Sequence, residues 1–147
     1  MNFSRILLLL ALILLTVTTA SADVNQFAGK WKNVDPRTGG ITTIQIDVSS
    51  SGIKIQTWGA CRPSDCVWGL ADGTAYAPSV NSNLEATADT ISTIYLFRSS
   101  QKILILHLTE EDQMRVELLT KFIDQSRRAN TRHVELFKRT EDTGSNR

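Results

Sequence analysis

Two cysteines and two histidines, Cys61, Cys66, His107 and His133, are the soft ligands this chain offers to a metal or to thiol and imidazole chemistry. The cysteines lie in Trp-Gly-Ala-Cys-Arg-Pro-Ser-Asp-Cys-Val-Trp-Gly, Trp58 to Gly69, which reads almost the same in both directions. Zinc ribbons space their thiolates more closely than this, and the histidines stand isolated in separate apolar runs. A redox pair has two residues between its cysteines, and here there are four. A disulfide bracing a hairpin is the third reading, and it depends on an oxidising compartment.

The remaining residues give little to catalysis. A hydrolase needs an activated nucleophile with a histidine base and an orienting carboxylate, and no Gly-x-Ser-x-Gly element is present. Glu110, Glu111 and Asp112 read as a hairpin turn whose carboxylates point to solvent, and Asp65 beside Arg62 reads as stabilising its own turn. No glycine-rich phosphate loop or oxygen-rich calcium loop occurs. The expectation is a non-enzyme without cofactor or metal.

The first 22 residues read as a secretory signal peptide: Arg5, an apolar run from Ile6 to Val17, then the small-residue pattern Ala20-Ser21-Ala22. That run is too short to cross a bilayer, so no membrane span is expected in the mature chain. Removing 22 of 147 residues leaves 125, enough for one domain over 23–139, with 140–147 as a polar disordered tail. Arg5 is the leader's one charge, so 15 basic and 15 acidic residues remain. A neutral chain lacks the concentrated positive field that nucleic acid demands, and Arg127, Arg128 and Arg132 read as a solvated turn. Export favours the disulfide.

The elements that must carry these residues are strands. Apolar side chains alternate in Ile44, Ile46, Val48, in Ile53, Ile55, Thr57, and in Val116, Leu118, Thr120, Phe122. Two further runs, Ile91 to Phe97 and Ile103 to Leu108, are apolar on both faces. Turn signals separate about eight strands, near 30–34, 41–49, 53–61, 66–71, 91–98, 102–109, 114–124 and 133–139. Their even spacing predicts an all-β, antiparallel up-and-down barrel, since closure removes exposed edges. Tyr76 to Thr90 fits no strand clearly and stays open as a lid loop, a ninth strand or a short helix.

If Cys61 and Cys66 face each other, Trp58 falls opposite Gly69 and Gly59 opposite Trp68, each indole covering a glycine. Alternation then turns Trp68 inward with Ile53 and Ile55, and Trp58 outward.

Phe27-Ala28-Gly29-Lys30-Trp31 resembles the Gly-x-Trp opening of calycin barrels such as lipocalins and avidins. That resemblance implies a lipocalin-like barrel whose Trp31 lies beneath Arg139 of the last strand as a cation-π pair. Over roughly 27–139 the chain also resembles small exported bacterial proteins of unknown function, through Gly29 to Pro36 and the motif from Trp58 to Gly69. Neither resemblance carries a ligand across.

Two functions are therefore expected. One is a carrier of a small apolar molecule within the barrel, bound by Trp68, Tyr95, Phe97, Phe122 and Tyr76. The other is a structural or interaction module with a filled barrel, whose outward Trp58 anchors a protein or carbohydrate.

Overall fold

In the computed structural model, which describes residues 23–140, eight antiparallel strands close into one barrel in sequence order. They are β1 (Gly29–Asn33), β2 (Ile41–Ser49), β3 (Gly52–Gly59), β4 (Cys66–Tyr76), β5 (Thr90–Leu96), β6 (Ser100–Leu108), β7 (Gln113–Phe122) and β8 (Thr131–Arg139). A 3-10 turn, Val24–Phe27, precedes β1, and one short helix, α1 (Leu84–Thr87), interrupts the β4–β5 connection. The open segment from Tyr76 thus resolves into a strand end and a helix capped by the Asn83 side chain. The expected signal peptide lies outside the described residues, as does the tail beyond Thr140.

Up-and-down order puts alternate connections at opposite ends. At one end the 3-10 turn seals the barrel. Phe27 and Trp31 are fully buried there, and the Trp31 indole donates to the Phe27 carbonyl at 2.8 Å. Arg139 pairs in register with Trp31, its guanidinium centre 4.2 Å from the ring, and donates to the Ala28 and Gln26 carbonyls. Gly29 is required at this closure: its φ is 118°, and a Cβ would sit 3.0 Å from an Arg139 nitrogen.

Above this floor Ile44, Ile46, Ile55, Ile91, Leu104, Leu106, Met114, Val116 and Phe137 form an apolar core. They are the inward positions of their strands.

The expected register of the palindrome needs correction. β3 and β4 pair Thr57 with Gly69, then Trp58 with Val67 and Gly59 with Cys66, so Trp68 is the extra residue of a β-bulge. Trp58 is therefore not opposite Gly69, and nothing lies within 4 Å of a Cβ built on Gly69. The other half of the expectation survives by a different geometry. Trp68 is displaced inward over Gly59, where an added Cβ would lie 2.6 Å from the indole nitrogen.

The bulge and the positive φ of Gly69, 101°, bend β4 away from its other neighbour. β4 and β5 pair only from Gly73 with Thr93 to Tyr76 with Thr90. Residues 66–72 and 94–96 have no ladder between them, and a groove of about 560 Å³ runs along the outer wall there, lined by Trp68, Leu70, Ile94 and Leu96 among others. Leu96 is 75% exposed.

Candidate functional site

The end opposite the sealed floor is open. A cavity of about 660 Å³ enters the barrel between the β1–β2, β5–β6 and β7–β8 connections. Its lining includes Thr38, Ser100, Lys102, Leu118, Thr120, Phe122, Thr131, His133 and Glu135.

Polarity rises in steps toward this mouth, and the ladder registers show the steps. Lowest is Met114 opposite Phe137, then the inward row Ile91, Leu106, Val116 and Glu135 on β5 to β8. The next row is Thr93, Leu104, Leu118 and His133, and the uppermost complete row is Tyr95, Lys102, Thr120 and Thr131. Half of the interior is an apolar plug, and half is a cup with hydroxyl, amine and imidazole groups on its wall.

An aromatic cluster stands beside the cup. Trp68 meets Tyr95 and Phe97 edge-on, both at 5.6 Å between centroids, and Tyr95 and Phe97 stack at 6.4 Å. The Lys102 ammonium lies 4.4 Å from the Trp68 ring. Burial pushes the Lys102 amine below its ordinary value. Glu135 accepts from the Thr38 hydroxyl at 2.7 Å and from the Ile41 backbone N–H at 3.3 Å, which ties the β1–β2 loop to β8.

Tyr95 reaches across the barrel, donating to the Ile55 carbonyl at 2.9 Å with Thr57 Oγ1 at 3.0 Å. Burial holds its phenol above the ordinary tyrosine value, more strongly than the Thr57 contact lowers it. The neutral phenol is the form the fold prefers. Its stabilisation is thus fully present below the unfolded pKa near 10 and is lost as pH rises through the higher folded value. In an absorbance titration at 295 nm, Tyr95 should ionise later than free tyrosine, and Tyr95→Phe should remove that late step. Ionisation of Tyr95 at the free-tyrosine value would contradict this.

The disulfide is formed: Cys61 and Cys66 are bonded, with Cα atoms 5.5 Å apart, and braces the β3–β4 turn at the open end. Closing so small a loop contributes about 2 kcal/mol in the loop-entropy model. The Cys61→Ser, Cys66→Ser double variant should lose about that much in urea unfolding while keeping the barrel's far-ultraviolet spectrum. An unchanged midpoint would show that the turn holds without its brace.

The expected ligand-binding residues divide. Trp68, Tyr95 and Phe97 come together, and Phe122 lines the cavity from β7. Tyr76 does not join them. It is 48% exposed on the outer wall near the sealed end, with its hydroxyl 3.0 Å from Ser92 Oγ, because Gly73 and Ala75 take the inward positions of β4. Trp58 faces outward and is half-buried.

The two histidines part likewise. His107 lies on the outer face, its Nδ1 3.1 Å from the Thr90 hydroxyl, whereas His133 is in the cup. Among the described residues no three His, Cys, Asp or Glu gather as a metal site. Asp65 does not close its own turn on Arg62 but accepts from Thr42 of β2 at 2.6 Å, since the disulfide loop folds over that strand. The arginine turn is spent locally: Arg128 pairs with Asp124 at 2.6 Å and stacks on Phe122, and Arg132 pairs with Glu117 across β7 and β8.

Lys102, Thr120, Thr131 and Glu135 were not anticipated as site residues. The available signal was parity, since Lys102 and Thr120 each stand two positions from an inward leucine. No family model, curated protein or solved structure matches the chain.

Proposed function

We propose that this chain is an exported, non-enzymatic binding protein that holds a small amphipathic molecule in the open half of its barrel. The half-filled interior carries the reading: a sealed apolar floor below, and a cavity of about 660 Å³ lined by both ring and polar groups above. A purely apolar ligand fits less well than the sequence suggested, because it would leave Thr120, Thr131 and Lys102 desolvated against hydrocarbon.

Export is supported by the leader-like N-terminus and by a disulfide, which persists in oxidising compartments. The Gly29-Lys30-Trp31 opening beneath Arg139 supports kinship with calycin barrels. A second reading, an interaction module, is favoured by the exposed apolar side chains Val67, Leu70, Ile94 and Leu96 on the outer wall.

Native mass spectrometry of the full chain purified from an exporting host, together with tryptophan emission during titration with small amphiphiles, tests the carrier. A retained mass or a saturable shift in emission is expected. If neither occurs with any compound, the carrier reading fails.

A further inference from the structure

We propose that the inward row Lys102, Thr120 and Thr131 is the seat of a carboxylate group, so that the bound molecule is an amphipathic monocarboxylate. This rests on the carrier reading and specifies its ligand.

The three residues are direct cross-strand neighbours on β6, β7 and β8. At the usual strand separation their backbone positions span about 10 Å along one level of the wall, and the Lys102 ammonium is now turned toward Trp68. One ammonium and two hydroxyls on one level supply donors for both oxygens of a carboxylate, and a hydrogen bond to an ionised partner is the stronger kind.

Their present partners leave them free for this. Among the described residues Lys102 makes no ion pair and meets only the Trp68 and Phe97 rings, at 4.4 and 5.8 Å. The Thr120 and Thr131 hydroxyls have no hydrogen bond among the described residues, and Thr120 is nearly buried within the cup. An amine half out of water, without a counter-charge, is held at a cost that an anion would relieve.

Of the other charged groups of the cup, Arg128 is paired with Asp124, while Glu135, held two rows below by the neutral Thr38 hydroxyl and Ile41 N–H, keeps its negative charge and disfavours a second one on the ligand. One uncommitted cation matches one negative charge, which favours a carboxylate over a doubly charged phosphate. Phe122, with Arg128 over its ring, gives the ligand an apolar contact on the cavity wall.

Titration calorimetry with 2-naphthoate and with the neutral 2-naphthamide, on the full chain, on Lys102→Met and on Thr120→Val, tests the assignment. Naphthoate should bind at least about tenfold tighter than the amide, as expected of a charge-assisted contact. Lys102→Met should abolish that preference, and Thr120→Val should weaken it.

Equal binding of acid and amide would overturn the carboxylate seat while sustaining the carrier. A preference that survives Lys102→Met would likewise overturn it, since the discrimination would then not come from the amine. Binding of neither compound, with no response to any other amphiphile, would overturn both. Displacement of naphthoate by inorganic phosphate at equal concentration would overturn the choice of a monoanion.

Discussion

Trp31→Ala should lower the free energy of unfolding by about 3–5 kcal/mol, the cost of removing a large buried aromatic without collapse of the space it leaves. Trp31 is wholly buried, hydrogen-bonded to Phe27, and roofed by Arg139. Its loss opens a cavity at the sealed end and strips the guanidinium of its ring. Domains of this size are commonly stable by only 5–15 kcal/mol, so a substantial part of the total should disappear. Urea unfolding followed by circular dichroism measures it. A loss below about 1 kcal/mol would mean the floor is held by the strand pairing of β1 with β8 rather than by the indole.

This closure was expected only through the resemblance of Gly29-Lys30-Trp31 to the calycin opening, which implies an arginine of the last strand over the indole. The two residues lie at opposite ends of the domain and carry no local signal. Barrel closure, by contrast, was legible in the residues themselves. Turn residues recur at even intervals, and period-two alternation assigns each strand one inward face. The strand limits agree to within a few residues except in β4, which runs on to Tyr76. Glycine and alanine at the inward positions of that segment hid its alternation, since small side chains carry no hydrophobic signal.

Gly59→Val should cost about 3 kcal/mol, toward the upper end of what overpacking a core exacts. The added Cβ would lie 2.6 Å from the Trp68 indole nitrogen and 3.1 Å from its Cε2 atom. The ring has little room to retreat, since Tyr95, Phe97 and Lys102 stand around it. Shortening the obstacle should restore part of the loss, so Trp68→Leu in the Gly59→Val background should be less destabilised than the two single changes sum to. Thermal unfolding of the four proteins gives the coupling. Strict additivity would show that Gly59 and Trp68 do not oppose each other.

The near-symmetry of the motif predicted the meeting of Trp68 and Gly59 but not its route. A bulge adds one residue to one strand, and in a sequence it looks the same as an ordinary strand position. Only Gly69 hinted at it. The cup was the least legible part, because Lys102, Thr131, His133 and Glu135 look like surface residues when each is taken with its sequence neighbours, although Thr120 lies on the apolar alternation of its strand. Their common direction arises from pairing across three strands, which is a property of the closed sheet. Tyr76 shows the reverse case, an aromatic whose type suggested the interior and whose parity on β4 sends it outside.

A cylinder joined along eight seams is only as cohesive as its weakest weld. The β1–β8 seam has three residue pairs but is backed by the Trp31–Arg139 contact, whereas where β4 peels from β5 four pairs hold two strands that could share several more. The wall can therefore part along this line without disturbing the floor at Trp31 or the long β6–β7 ladder. A parting there would lay Trp68, and the Lys102 amine beside it, open to the outer wall.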